Sequence, residues 1–245
     1  MNALRVMVVG KHQQEVISQL DRFGLELDEG HPDVVISYGG DGTLLGAERA
    51  WPGIPKVALR DSQRCRTCSH ESNEVILRHL AEGRLKRTEF MKLEATTRGR
   101  RLVCLNNVIV HNAIITSGVR YRVWIDDESY GDREIVGDGL VVSTPFGSAA
   151  YYRSITHSTI RVGIGLAFNN SIEPINHLVL DDSSMIRIRI TRGPATVTGD
   201  QAPDKIEVDR GDEILIRRSE YAATILVYDR VQYPADQFIF FPHDK

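Results

Sequence analysis

The chain has 245 residues, of which 42% are hydrophobic and 26% charged, and its formal net charge is −3 at pH 7. This is the composition of a globular protein long enough for one large domain or two small ones. The charges are mixed in sign and no apolar run reaches the roughly 20 residues of a membrane span, so we expect neither nucleic acid nor a membrane as a partner.

Predicted strands and helices alternate over the first third of the chain, which starts with a strand rather than with the pattern of a signal peptide. Apolar runs predict strands at residues 4–9, 33–38 and 54–59, and apolar stripes of helical period predict helices at 13–23 and 74–81. This alternation predicts a Rossmann-like parallel α/β domain over residues 1–88.

A glycine-rich turn, Gly39-Gly40-Asp41-Gly42-Thr43, joins the predicted strand at 33–38 to a predicted helix at 44–50. Glycines at such a junction let the backbone approach phosphate, and the free N–H groups of the helix start attract anions. A carboxylate repels phosphate, so Asp41 predicts a role in holding Mg²⁺ or in taking a proton from a hydroxyl nucleophile. The alternative is that Asp41 only caps the helix.

From residue 88 onward, short strands with alternating apolar residues replace the helical periodicity. They are predicted at Phe90 to Thr96, Leu102 to Val110, Tyr121 to Ile125, Ile186 to Ile190, Lys205 to Val208 and Glu213 to Arg217. We therefore predict α/β plus all-β: the N-terminal domain is followed by an antiparallel β-sandwich-type domain over residues 89–228, with one short helix near 148–154. The pattern leaves open whether the tail, residues 229–245, joins the first domain.

The most specific stretch is Asp138–Tyr151, which reads Asp-Gly-Leu-Val-Val-Ser-Thr-Pro-Phe-Gly-Ser-Ala-Ala-Tyr. A strand here delivers hydroxyls and a Pro-x-Gly turn to a short helix whose free N–H groups can hold phosphate or ribose, and Tyr151 offers a ring to a base. An ordinary turn with a core tyrosine is the alternative. Together with Gly39–Thr43, this stretch resembles the motifs of the NAD kinase family, and the chain looks like a divergent member.

Two further segments extend the resemblance over nearly the whole chain. Asn106-Asn107 stands where NAD kinases carry Asn-Glu or Asn-Asp, so that an amide replaces the acid. Gly199-Asp200-Gln201 and the strand near Asp212 are similar to the late Asp-Gly-Gln and Gly-Asp region of the family.

The resemblance implies a kinase that transfers a phosphoryl group from ATP or polyphosphate to the 2′-hydroxyl of the adenosine ribose of NAD, with Mg²⁺, giving NADP. Asp41 would be the catalytic carboxylate that activates the hydroxyl. The implied nucleotide-binding residues are Gly40, Gly42, Thr43, Asn106, Asn107, Asp138, Thr144, Gly147, Ala150, Tyr151 and Ser154. Because the counterpart of Asp138 reaches across a subunit interface in some members, we expect a homodimer or homotetramer.

The departures from the family pattern concern the acceptor side. Phe146 and Ala149 replace two threonines, and residues 61–68 replace a Gly-Phe-Leu stretch that lines the NAD pocket, whereas the Gly-Gly-Asp-Gly turn is intact. Two alternatives therefore stay open: a kinase of the same fold for another alcohol, such as a nucleoside or polyol, and a non-catalytic nucleotide-binding module. The retained Asp41 argues against a non-catalytic module, because a carboxylate repels phosphate and would weaken a site that only binds nucleotide.

Three cysteines argue against a disulfide framework and for a reducing compartment, so we expect a cytoplasmic protein. Cys65-x-x-Cys68-x-His70 is compatible with zinc, with Cys104 or His111 as a distant fourth ligand, but a second Cys-x-x-Cys is missing. We therefore expect no resident metal and two separate thiols. Arg64 and Arg66 could bind pyrophosphate or form part of a solvated basic loop.

Overall fold

The computed structural model describes residues 3–61, 65 and 67–228. They form two compact units: one contains the described residues up to 90 together with 221–228, and the other contains 91–220. The domain division at residue 88 stays a prediction, and the tail 229–245 lies outside the described residues. No helix in the described part of the chain is long and apolar enough to cross a membrane.

The elements of the first unit alternate along the chain. They are β1 (Leu4–Val9), α1 (Gln14–Ile17), a 3₁₀ helix (Leu20–Phe23), β2 (Leu25–Leu27), β3 (Val34–Gly39), α2 (Asp41–Ala50), β4 (Lys56–Arg60) and α3 (Asn73–Ala81). Strand β5 (Lys86–Thr97) then leads into the second unit.

The remaining elements are mostly strands. They are β6 (Arg100–Cys104), β7 (Asn107–Asn112), β8 (Val119–Ile125), β9 (Glu128–Ser129), β10 (Ile135–Gly137), β11 (Gly139–Ser143), a 3₁₀ helix (Gly147–Ala149), α4 (Tyr151–Thr156), β12 (Ile164–Asn169), β13 (Leu178–Leu180), β14 (Ile186–Arg192), β15 (Ala195–Gly199), β16 (Ile206–Val208) and β17 (Glu213–Val227).

The first unit is built on a parallel sheet in the order β2-β1-β3-β4, and the end of β17 pairs with β4 through Ile225 and Lys56. Every residue of β3 is buried, as is usual for a central parallel strand that helices cover on both faces. The core contains Val6, Val8, Ile36, Val57, Leu59, Ile76 and Leu77. The carboxyl ends of β1, β3 and β4 consequently lie side by side at one edge, where α/β sheets bind ligands.

The second unit consists of antiparallel sheets. One has the order β13-β12-β11-β7-β15-β16; the other contains β10-β8-β14-β17, to which β5, β6 and β9 are added. Residues from both sheets share one core, among them Val110, Leu140 and Leu166 from the first and Leu93, Val123 and Ile188 from the second. The predicted fold class, an α/β domain plus an antiparallel β-sandwich, is confirmed.

Two predicted elements are interrupted. The helix predicted at 13–23 consists of α1 and a 3₁₀ turn, and the side chains of Ser18 and Gln19 both donate to the carbonyl oxygen of Glu15 at 3.1 and 2.6 Å. Such local bonds compete with the helical pattern. The strand predicted at 102–110 is split into β6 and β7, because the backbone N–H groups of the intervening residues bind a side chain instead of a neighbouring strand.

Candidate functional site

The glycine turn lies at the carboxyl end of β3. Gly40 occupies the position before the first helical residue, in an extended conformation, and Asp41 is the first residue of α2. Asp41 therefore does not stand at the capping position. A Cβ atom on Gly39 would lie 2.2 Å from Oγ1 of Thr43, so only glycine allows the hydroxyl of Thr43 to approach the strand end this closely. The turn thus presents backbone, one hydroxyl and one carboxylate, and its residues from Gly40 to Thr43 are half-buried.

Asp41 is held by a residue from outside its own helix. Thr67 donates to Oδ1 of Asp41 twice, from its hydroxyl at 2.9 Å and from its backbone N–H at 3.2 Å. Both bonds end on the same carboxylate oxygen, which fixes the rotation of the carboxylate.

The two cysteines that flank Thr67 form a disulfide. The prediction of separate thiols at Cys65 and Cys68 was therefore wrong: the two Cα atoms are 5.4 Å apart, within the range that a disulfide spans. Disulfide sulfurs are not thiolate ligands, and no group of three or more His, Cys, Asp or Glu side chains that could hold a metal ion is found among the described residues. The pyrophosphate hypothesis for Arg64 and Arg66 falls on residues outside the described ones.

A histidine–carboxylate pair joins two strand ends of the same sheet edge. Nδ1 of His12, just after β1, lies 3.0 Å from Oδ2 of Asp61, which follows β4. Strand β3 lies between β1 and β4, so the pair flanks the strand that carries the glycine turn. His12 and Asp61 lie three and two positions after predicted strands, and this proximity to two strand ends is the signal in the sequence that points to the pair.

In the second unit, Asp200 organises the Asn106-Asn107 segment. Its carboxylate accepts hydrogen bonds from the backbone N–H groups of Leu105, Asn106 and Asn107, the last two at 2.8 and 3.2 Å. Burial raises the pKa of Asp200, and the three hydrogen bonds act in the opposite direction. A side chain about 95 positions away in sequence thus sets the conformation of a predicted nucleotide-binding segment. Asn106 is half-buried and Asn107 is buried.

The Thr-Pro-x-Gly turn packs onto that segment. Thr144 is fully buried, and its hydroxyl donates to the carbonyl oxygen of Leu105 at 2.6 Å and accepts from the N–H of Gly147 at 3.0 Å. A Cβ atom on Gly147 would lie 2.1 Å from the carbonyl oxygen of Asn106. Thr144 and Gly147 are therefore placed where they shape the turn and bring it against Asn106.

The remaining predicted residues lie at the start of α4 and beside it. Ala150 and Tyr151 are half-buried and Ser154 is exposed. The hydroxyl of Tyr151 accepts from Nδ2 of Asn169 at 3.0 Å. Burial raises the pKa of Tyr151, and the charge of Asp138 adds to this effect.

Asp138 is bound by two amides of the same unit. Its Oδ1 accepts from Nδ2 of Asn112 at 3.3 Å, and its Oδ2 accepts from Nδ2 of Asn170 at 2.6 Å. A cavity of about 440 Å³ borders this region, and it is lined by Ser154, Ile155, His157, Phe168, Asn169, Asn170, Ser171, Glu173, Pro174, Ile175 and His177. The second unit thus brings Asp138, Tyr151 and Ser154 to one side of α4 and offers polar groups around a space of ligand size.

Residues 105–227, just over half of the chain, match the ATP-NAD kinase C-terminal domain. The chain belongs to the ATP-NAD kinase family. An NAD kinase of Thermoplasma acidophilum is 27% identical over 237 residues, which cover 90% of this chain and 85% of that protein. An NAD kinase of Clostridium perfringens is 27% identical over 220 residues, covering 82% of this chain and 77% of that one.

Solved structures of the family share the fold. The crystal structure of an NAD kinase from Archaeoglobus fulgidus in complex with ATP superimposes with a TM-score of 0.79 at 19% identity, covering 96% of this chain and 97% of that one. Yeast NADH kinase complexed with NADH gives a TM-score of 0.83 at 16% identity, covering 100% of this chain and 89% of that one. At this level of identity the likeness concerns the fold.

Proposed function

We propose that the protein is a kinase that transfers the γ-phosphoryl group of ATP to the 2′-hydroxyl of the adenosine ribose of NAD, giving NADP. The observation that carries the proposal is the placement of Asp41. It is a carboxylate in a glycine turn at the carboxyl end of a central parallel strand, where the backbone is shaped for phosphate. The family and the names of its relatives support the same activity.

The donor side of the proposal uses the glycine turn. The close approach of Gly39 to Thr43 and the N-terminal end of α2 suit the phosphates of ATP, or of polyphosphate as the alternative donor. Mg²⁺ would enter with the donor, because no cluster of three ligands gathers among the described residues. A cation that is bound mainly by phosphate oxygens and water needs only one or two carboxylates from the protein.

The chemical role proposed for Asp41 is that of a general base. Phosphoryl transfer needs mainly positioning and charge neutralisation from a protein. The 2′-hydroxyl oxygen forms a bond to the γ-phosphorus while the bond to the departing ADP breaks, and the carboxylate accepts the hydroxyl proton. A fixed carboxylate serves this purpose, and the two hydrogen bonds from Thr67 provide one.

The acceptor side of the proposal uses the second unit. Tyr151 offers a half-buried ring, while Asn106, Ala150 and Ser154 are at least partly accessible to an adenosine, and Asp138 would face the nicotinamide end. Asn107, Thr144 and Gly147 would act by shaping the segment. Two departures from the family pattern weigh little against NAD, because Phe146 and Ala149 are each only 4% exposed.

A second candidate is a kinase of the same fold that acts on another alcohol. The bond from Asn170 to Asp138 at 2.6 Å favours it, because an amide already occupies a carboxylate oxygen that the NAD hypothesis assigns to the nicotinamide end.

We extend the main proposal to a homodimer or homotetramer, since the family resemblance assigns Asp138 a role at a subunit interface.

A panel assay tests the function. Purified protein is incubated with Mg²⁺ and either ATP or polyphosphate, and with NAD, NADH, nucleosides or polyols as acceptor. We expect transfer to NAD, with phosphorus NMR placing the new phosphate on the 2′-oxygen. Transfer only to a nucleoside or polyol would support the second candidate. An absence of transfer to every acceptor would overturn both and leave a nucleotide-binding module.

A further inference from the structure

Asp41 accepts two hydrogen bonds from Thr67. A general base that acts directly has its oxygen about 2.6–3.2 Å from the oxygen whose proton it removes. Thr67 directs both its hydroxyl and its backbone N–H to Oδ1 of Asp41, at 2.9 and 3.2 Å. Loss of the hydroxyl removes one of these two constraints and leaves the other.

Thr67 is in turn enclosed by the disulfide between Cys65 and Cys68, whose side chains are only 4% and 2% exposed. Sγ of Cys65 lies 3.6 Å from the hydroxyl oxygen of Thr67. Sγ of Cys68 lies 3.8 Å from the carbonyl oxygen of Gly39, and since an oxidised sulfur carries no proton, this is a packing contact. The disulfide therefore links the strand end before Asp41 to the side chain that binds Asp41.

Packing alone does not enclose this segment on every side. A cavity of about 90 Å³ borders it, lined by Ala58, Thr67, Cys68, Ser69, His70, Glu71, Ile76 and residues 225–228. Open space on one side of Thr67 and Cys68 leaves room for the backbone to shift. The covalent bond opposes such a shift, together with the hydrogen bonds of Thr67 to Asp41 and of Arg60 to the carbonyl oxygen of Ser69.

We propose that Thr67 is a positioning residue for Asp41 and that the Cys65–Cys68 disulfide keeps it in place, so that reduction of the disulfide lowers the rate of phosphoryl transfer. This inference rests on the proposed function. The reductant is a dithiol: its thiolate attacks one sulfur, the Cys65–Cys68 bond breaks, and its second thiol resolves the mixed disulfide. Two electrons and two protons pass to the protein, which gains two thiols, and the dithiol becomes a disulfide.

Substitution of Thr67 tests the positioning role. Thr67→Val keeps the shape and the backbone N–H but lacks the hydroxyl, and we expect kcat to fall about 10- to 100-fold, the effect of a misplaced catalytic group. The KM values for ATP and NAD should change less than about 2-fold, because neither ground-state complex depends on this bond. Thr67→Ser, the matched control, retains a hydroxyl and should recover most of kcat. A kcat for Thr67→Val equal to that of the wild type would overturn the role of Thr67.

The redox part needs wild type and Cys65→Ser/Cys68→Ser, each assayed before and after dithiothreitol, with alkylation and intact mass to count thiols. Reduction should lower the kcat of the wild type about as much as Thr67→Val does, and reoxidation should restore it. The double variant should have the low kcat in both conditions, which excludes effects of the reductant elsewhere. An unchanged kcat of the wild type after reduction, with the thiols of Cys65 and Cys68 both alkylated, would overturn this inference and leave the proposed kinase function unaffected.

If the unreduced wild type transfers phosphate to no acceptor, the proposed function fails and this inference fails with it.

Discussion

Asp41 is the residue whose replacement separates binding from chemistry. Asp41→Asn keeps the size of the side chain and loses the base and the negative charge, so we expect kcat to fall about 10²- to 10⁴-fold. ATP affinity should stay the same or rise as repulsion is relieved, and the free energy of unfolding should change by less than about 1 kcal/mol. Steady-state kinetics, calorimetry and melting curves measure the three quantities. Asp21→Asn, at an exposed position, is the control.

Near-normal turnover of Asp41→Asn, or a loss of activity explained by unfolding alone, would contradict the role of Asp41.

The glycine turn itself was predictable from sequence because its residues are consecutive and follow a clear apolar strand. The contact with Thr67 was not, because it joins positions 26 residues apart and lies in the stretch where the chain departs from the family pattern.

Asp200 is a second residue with a defined consequence. Asp200→Ala removes the acceptor of three N–H groups, of which those of Leu105 and Asn107 are buried, at about 1–3 kcal/mol for each buried group, so the free energy of unfolding should fall by about 2 kcal/mol or more. Asp200→Asn keeps one acceptor oxygen and should lose less. The KM for NAD should rise more than the KM for ATP, since the segment around Asn106 changes. The control is Asp204→Ala, at an exposed position shortly after Asp200, which should change neither the free energy of unfolding nor the KM for NAD. Equal stability of Asp200→Ala and Asp204→Ala would contradict the role of Asp200.

At the scale of elements, Glu94 connects three strands of the second unit. It lies on β5 and accepts from Arg101 of β6 at 2.7 Å and from Arg217 of β17 at 3.2 Å. Burial acts to raise the pKa of Glu94. The hydrogen bonds and charges of the two guanidiniums lower this pKa by more than burial raises it, so that the pKa lies below its usual value. The folded state therefore favours the ionised form, and this carboxylate stabilises the fold only while it is charged.

This arrangement predicts a pH-dependent stability. Glu94→Gln should lower the free energy of unfolding by about 1–2 kcal/mol at neutral pH, a modest value because water screens the half-exposed arginines. The stabilisation is fully present above the unfolded-state pKa near 4.5, and it disappears as the pH falls through the lower folded-state pKa. Urea unfolding of both proteins between pH 7 and pH 3 measures the difference. A difference in the free energy of unfolding that stays the same at pH 3 would contradict this prediction. The control is Asp132→Asn, at an exposed ion pair, which should not change the free energy of unfolding at any of these pH values.

Element boundaries illustrate where sequence patterns stop being informative. The predicted strand at 102–110 is apolar except for Asn106 and Asn107. In the structure, Asp200 accepts hydrogen bonds from the backbone N–H groups of residues 105–107, and the strand is divided there. The alternating pattern predicts a strand that ends at Arg217, whereas β17 continues to Val227. Alternation marks which residues face a core, but long-range partners decide where pairing ends.

At the scale of the whole molecule, the oligomeric state is open to measurement. Large apolar side chains of the second unit are exposed, among them Val162 at 75%, Ile172 at 78% and Val179 at 53%. Exposed apolar side chains mark a contact with another chain where they form one contiguous patch. We expect light scattering after size exclusion to give two or four times the chain mass of 27.5 kDa. A single-chain mass at micromolar concentration and physiological salt would refute the oligomer.

The first unit is discontinuous in sequence, and this has a consequence for its synthesis. Residues 221–228 belong to it, Ala223 and Ile225 are almost fully buried, and Ile225 pairs with Lys56 on β4. The first 90 residues leave the ribosome long before that strand is made, so the nascent sheet presents β4 as an unpaired edge for more than 100 residues of elongation. The edge of the parallel sheet at β4 is therefore completed only after the strand around Ile225 has been made, and until then this edge is open to pairing with another chain.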